Sequence, residues 1–193
     1  NVIALARENP ALARDGIALR RWGQQIIEWL GGKRIHPTGI VPGGMADPLT
    51  AEVRDRILAG VPDAIAAVER AIAWYKTDML RWEEEASTFG NFRSAFMGLV
   101  DRQGNVDHYG GWIRVVDADG KFLADKVDPK DFNDYIGESV EPWSYLKSTY
   151  WKAMGYPDGI YRVGPLARLN VAERTGTPRA DEELEKFRWR VGR

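Results

Sequence analysis

The chain has 193 residues, with 27 Lys and Arg against 28 Asp and Glu, so its formal net charge is -1 and no single-sign field covers its surface. That balance argues against an obligate nucleic-acid binder. With 44% hydrophobic, 28% charged and 11% aromatic residues the composition is that of a globular chain long enough for a real core, which excludes disorder and collagen-like repeats.

No apolar run approaches the roughly 18 residues of a membrane-spanning helix, and no basic stretch followed by an apolar segment and a small-residue cleavage site opens the chain. Nothing in it calls for a membrane. The complete lack of cysteine removes disulfides, thiolate nucleophiles, iron–sulfur ligation and zinc–thiolate sites together. The two histidines are His36 and His108. Because the sequence opens on Asn1-Val2-Ile3 and stops at Val191-Gly192-Arg193 with no terminal motif, it is expected to be a piece of something longer.

The first helix signal is Asn9-Pro10, a capping residue before a proline suited to the first helical position, followed by Leu12, Leu19, Trp22, Ile26 and Leu30 at helical spacing. Gly31-Gly32 stops it. From Gly31 to Pro48 the sequence is rich in glycine and proline without helical period, which predicts a structured loop, and such loops are usually functional or interfacial. Asp47-Pro48 or Thr50 then opens a short helix through Val53, Ile57 and Leu58 that ends near Gly60. Pro62 opens a longer one, whose Ile65, Val68, Ile72, Tyr75, Met79, Trp82 and Ala86 alternate steps of three and four. That seam is expected to be core, with Ile72 and Met79 buried against the first helix.

The period then changes to that of strands. Ser94 to Val100, Gly111 to Val116 and Lys121 to Val127 are short, rich in Val, Ile, Phe and Trp, and separated by turn sequences, which predicts a small antiparallel meander. Asp128-Pro129 caps a short helix, residues 142–151 are aromatic without regular period, and Pro157-Asp158-Gly159 turns the chain. Thr177-Pro178 starts a final helix with an acidic first turn and with Leu184 and Phe187 on one face. The fold class expected is α+β: a long helical hairpin, a small antiparallel β-meander and a terminal helix. Residues 1–90 read as mostly helical, 91–128 as the meander and 129–193 as mixed helices and loops, within one fragment.

Short motifs carry little chemistry. Asp117-Ala118-Asp119-Gly120 fails as a calcium loop, because placing Gly120 at the sixth position puts Val115 at the first and Lys126 at the twelfth. Gly31-Gly32-Lys33-Arg34 fails as a phosphate loop, since no Ser or Thr follows the lysine and a helix precedes it where a strand belongs. His108 reads as a surface side chain at a hairpin edge. His36, held in a Gly/Pro loop beside Lys33 and Arg34, has an easily tuned charge suited to a proton- or electron-transfer neighbourhood.

Two stretches are recognisable as a pair: Gly31-Gly32-Lys33-Arg34-Ile35-His36-Pro37 through Val41-Pro42-Gly43-Gly44, and Tyr161-Arg162-Val163-Gly164-Pro165-Leu166-Ala167-Arg168-Leu169-Asn170. Together they resemble the large subunit of nickel–iron hydrogenases, in particular the cytoplasmic bidirectional group linked to NAD(P) or related soluble acceptors. Asn105-Val106-Asp107, Glu141-Pro142-Trp143-Ser144-Tyr145 and the Thr177-Pro178 helix are similar to that family in the same order, so the resemblance covers essentially the whole chain.

The resemblance implies the middle of a subunit more than twice as long, in which nickel and iron are held by thiolates from two Cys-x-x-Cys motifs, one near each end. Neither motif is present here, nor is the later Pro-Arg-Gly segment with the family's active-site arginine. It therefore implies no metal ligand, cofactor site or catalytic residue in this chain, and a nickel–iron centre in the complete subunit only. It also implies that Lys33, Arg34, His36, Gly43, Gly44 and Arg168 lie at an interface or behind the metal site. The partners implied are the remainder of the large subunit and the small, iron–sulfur subunit, with no nucleic acid or membrane, in the cytoplasm. A stand-alone ligand- or protein-binding module, built on the meander and the aromatic stretch from Trp143 to Trp151, is the alternative reading.

Overall fold

The computed structural model of the chain describes residues 2–191, apart from the side chains of Val2, Met79, Trp189, Arg190 and Val191. Two compact units divide between Phe89 and Gly90.

In the first unit, α1 (Val2–Glu8) leads into α2 (Pro10–Gly31). Pro10 takes the first turn of α2, where its missing N–H costs nothing, and the helix stops at Gly32, which adopts φ +77° and returns its N–H to Glu28 O at 2.8 Å. The following loop is irregular save for a two-residue ladder, β1 (Ile40–Val41) against β2 (Gly44–Met45). Thr50 Oγ1 then accepts the Val53 N–H at 3.2 Å and opens α3 (Ala51–Asp78). A 3-10 turn, Met79–Trp82, and α4 (Glu83–Thr88) close the unit.

Two expectations are corrected here. The break between Gly60 and Pro62 does not occur, and α3 runs through Pro62 as one 28-residue helix. Proline removes one backbone hydrogen bond, and here the covered stripe Gly60, Ala64, Ala67, Ala71 continues across it, with Gly60 set against Trp22 of α2. The large apolar seam is also not the face that meets α2. Ile72 remains 39% exposed and Ile65, Val68 and Tyr75 are exposed with it, while Ala67 is buried. Small side chains let two helix axes approach closely, so the alanine stripe wins the contact. The side chain of Met79 lies outside the described residues.

In the second unit, β3 (Ala95–Val100), β4 (Trp112–Val116) and β5 (Phe122–Val127) form the meander, with Asp117 Oδ1 accepting the N–H groups of Asp119 and Lys121 to hold its second turn. After a 3-10 turn capped by Asp128 come α5 (Phe132–Tyr135) and an antiparallel ribbon of β6 (Ile136–Ser139) and β7 (Ser148–Trp151). β8 (Tyr161–Arg162) joins β3 in parallel and gives the sheet order β5-β4-β3-β8. α6 (Pro165–Val171) and α7 (Pro178–Val191) complete the chain. The fold is α+β.

The central sheet is covered on both faces. Ala95, Ile113 and Val115 cluster with Trp151 on one side, and Val100 and Val116 with Val171 and Ala172 on the other. Leu184 of the terminal helix is buried. Arg188 of α7 donates to Leu169 O and Ala172 O, carbonyls at the C-terminal end of α6 that have no partner within that helix. No helix among the described residues is long and apolar enough to cross a membrane.

Candidate functional site

The residues marked by the sequence fall in both units. In the first, Thr38 and Gly39 donate to Gly31 O at 3.0 and 3.2 Å, and Ala46 donates to Gly39 O at 2.7 Å, so the loop folds back onto the end of α2. A Cβ on Gly31 would lie 2.4 Å from Pro37 Cβ, so the closure requires glycine there. Residues 33–36 are left as an exposed excursion between the two closing points. Arg34 is held by Glu28 at 2.7 Å, while Lys33 and His36 have no side-chain partner among the described residues. His36 takes φ +51°, a left-handed conformation that turns the chain between Ile35 and Pro37. Gly43, with φ +93°, makes the corner of the β1–β2 turn, and Gly44 follows it. The structure thus brings Lys33, Arg34 and His36 onto one short exposed arc.

In the second unit Arg168 stands on α6. Its stem lies over Gly98 of β3, whose missing Cβ would sit 3.7 Å from Arg168 Cγ and 2.8 Å from Val171 Cγ2. Glycine at this strand position is what lets α6 lie directly on the sheet. Arg168 lines a cavity of about 250 Å³ with Met97, Leu99, Ile113, Asp107 and His108. Its guanidinium has no partner among the described residues. Asp107 accepts the N–H groups of Tyr109 and Gly110 at 2.7 and 2.9 Å, and these bonds hold its carboxyl below the usual range. The sequence reading missed that Asp107 and His108 join Arg168; the signal for it lies in tertiary contacts and not in spacing.

The position of α6 is fixed by a buried cation. Arg114 of β4 is 3% exposed, and its Nε and Nη2 donate to the Asp125 carboxylate at 2.7 and 3.3 Å. Its Nη1 donates to Val171 O at 3.1 Å, and its guanidinium lies 4.5 Å over the Phe122 ring. The Arg114 hydrogen bond holds the Asp125 carboxyl below its ordinary value against the opposing effect of desolvation.

No group of three or more His, Cys, Asp or Glu among the described residues is placed to hold a metal. The donor set of the sequence, without one cysteine, does not fit a thiolate-held nickel–iron centre, so no chemical step is assigned to such a centre here.

The relatives of this chain in sequence and in fold are subunits of hydrogenases. No family model matches the chain. It is 39% identical over 189 residues to a subunit of the F420-non-reducing hydrogenase vhu of Methanocaldococcus jannaschii, covering 97% of this chain and 44% of that protein. It is 37% identical over 195 residues to the beta subunit of the NAD-reducing hydrogenase HoxS of Cupriavidus necator, covering 97% of this chain and 39% of that protein. A crystal structure of an NAD+-reducing NiFe-hydrogenase in the H2-reduced state superposes with a TM-score of 0.88 at 40% identity, over 97% of this chain and 42% of that one. The chain is homologous to hydrogenase subunits and spans less than half of their length.

Proposed function

We propose that this chain is the central structural and interfacial segment of a nickel–iron hydrogenase large subunit of the NAD(P)-linked type, serving reversible hydrogen oxidation only within the complete assembly. The observation that supports this reading is the asymmetry of the match: nearly all of this chain corresponds to less than half of each relative, at 37–40% identity. On this reading the metal ligands belong to stretches outside the matched part. The setting is cytoplasmic, and the partners are the remainder of the large subunit together with the iron–sulfur subunit.

The residues of this chain then have positional work. The arc Lys33, Arg34, His36 offers hydrogen-bond donors and positive charge to a partner surface, Gly43 and Gly44 let that surface approach the backbone, and α6 carries Arg168 toward the rest of the subunit. None of them transfers an electron or proton by itself.

The test is expression of the chain alone and together with the unmatched stretches and iron–sulfur subunit of a homologous hydrogenase. Nickel by elemental analysis and hydrogen-dependent dye reduction are then measured. The chain alone is expected to give neither, and the assembled set both. Close to one nickel per isolated chain, or an inactive set in which every component folds, overturns the reading.

A further inference from the structure

Four arginines with described side chains are wholly or partly buried: Arg114, Arg162, Arg168 and Arg188. Arg114 pairs with the Asp125 carboxylate, Arg162 donates to Gly90 O at 2.8 Å, and Arg188 donates to Leu169 O at 3.1 Å. Arg168 is the one of the four with no partner among the described residues. A guanidinium drawn away from water loses hydration that only an acceptor restores, so this one is left an acceptor short. What it lines instead is the cavity of about 250 Å³ over Gly98.

The walls of that cavity limit what the missing acceptor is. Met97, Leu99, Ile113 and Val163 are apolar, which suits an apolar stem and gives nothing to a fully hydrated ion. The side-chain donors are the planar fork of Arg168, which matches the two oxygens of a carboxylate, and a ring N–H of His108. Asp107 stands in the same lining, and the N–H groups of Tyr109 and Gly110 that it accepts hold its carboxyl in the ionised form. A fixed negative charge beside the cation repels an anion of two charges more than an anion of one.

We infer that this cavity is a binding site for a monocarboxylate on an apolar stem, with Arg168 as its anchor. A free small acid and a glutamate side chain of another polypeptide both present that group. Because the cavity is complete within this chain, the site stands apart from the hydrogenase reading and is tested first in the isolated protein.

The chain has two histidines, His108 at the cavity and His36 in the other unit, so ring signals of carbon-13-labelled histidine give a reporter and a built-in control. Isovalerate titrated at fixed pH and ionic strength should shift His108 and not His36, half-maximally at about 1–10 mM, as one bidentate contact and a few buried carbons allow. Isovaleramide, of the same shape without charge, and succinate and inorganic phosphate, with more charge, should each need roughly tenfold more. An equal response to any of the three, or a silent His108 up to about 100 mM isovalerate, overturns the inference.

Arg168→Gln should abolish the isovalerate response, and a retained response overturns the assignment of the anchor. If that variant does not fold by far-UV circular dichroism, Val163→Glu serves in its place. It sets a carboxylate on the cavity wall at a position 61% exposed, and it should block isovalerate; undiminished binding overturns the inference. The bearer of the carboxylate is read with Arg168→Lys and a water-soluble carbodiimide, which joins an amine to a carboxylate held beside it. The isolated variant with isovalerate should gain an isovaleryl amide at position 168 by peptide mapping. With the iron–sulfur subunit and unmatched stretches of the Methanocaldococcus relative added, an amide to a glutamate of those polypeptides makes a protein side chain the occupant, and a persisting isovaleryl amide makes it a free acid. Both outcomes support the site, and the lack of any amide in either mixture overturns it.

Discussion

Trp22 of α2 and Gly60 of α3 occupy one another's space: a Cβ built on Gly60 would lie 2.3 Å from the indole Nε1 and 2.9 Å from Cε2. The indole leaves no room for a side chain on Gly60 at this contact between α2 and α3. It accounts for why the alanine stripe, and not the large apolar seam, faces α2.

Gly60→Ala is therefore expected to destabilise the helical unit. Replacing a helical glycine ordinarily gains about 0.5–1 kcal/mol, but forcing a methyl into a rigid indole costs about 1–3, leaving a net loss of about 1–2 kcal/mol. Gly16→Ala and Gly23→Ala in α2, where a Cβ meets nothing within 4 Å, should instead stabilise. Urea unfolding followed by far-UV circular dichroism checks all three, and a gain at Gly60 matching those at Gly16 and Gly23 would contradict the contact.

Gly98 and Val171 should be energetically coupled. Gly98→Ala drives a methyl against Val171 Cγ2 and should cost about 1–3 kcal/mol, whereas adding Val171→Ala opens the space that methyl needs. In a double-mutant cycle of denaturation midpoints the double variant should lose at least about 1 kcal/mol less than the sum of the single losses. Strict additivity would show that α6 does not lie on β3 at this point.

Arg114→Met removes the buried guanidinium that ties β4 to β5 and α6. Breaking a fully buried pair costs about 3–5 kcal/mol, and because the Asp125 side chain is 30% exposed and keeps some water, about 1–3 is expected here. Asp125 has a folded-state pKa below its ordinary 3.8, so its contribution is fully present above that value and is lost as pH falls through the lower folded one. Stability of the wild type should accordingly fall below about pH 4 more steeply than that of Arg114→Met. Guanidinium midpoints at pH 7, 4 and 3 measure this, and a stability difference between the two chains that stays constant with pH would refute the linkage.

His36→Ala tests the loop in the complete assembly. Turnover with the electron acceptor, or association with the iron–sulfur subunit, is expected to fall several-fold while nickel content and hydrogen–deuterium exchange activity stay intact. His36→Gly separates side chain from backbone, since glycine takes φ +51° without strain. Loss in both variants supports an interfacial side chain. Loss of nickel would place His36 at the metal centre instead, and no change in either variant would leave the loop a turn and nothing more.

Much of the local structure is legible in the sequence. Asn9-Pro10 and Gly31-Gly32 bound α2, although the Asn9 side chain makes no capping hydrogen bond, the turn aspartates delimit the three meander strands, and Thr177-Pro178 opens α7, because helix ends, turns and periods act over a few residues. Arg168 is marked by resemblance alone, and nothing local ties it to His108 and Asp107. β6–β7 and β8 are not foreseeable in this way, since strands of two to four residues are too short to show a period and are stabilised by partners distant in sequence.

The class of the fold, a structured glycine- and proline-rich loop after the first helix, the lack of thiolate ligands and an apolar three–four seam from Ile65 onward on the long helix all follow from the amino-acid sequence without coordinates. Which stripe of that helix meets α2 does not, and it emerges only from the packed molecule. Periodicity records that a face is apolar but not how near a neighbour comes, and the neighbour's distance is set by side-chain volume. Gly60 admits Trp22 of α2 at close range, and the larger residues of the apolar seam, Ile65, Val68, Ile72 and Tyr75, are left facing outward.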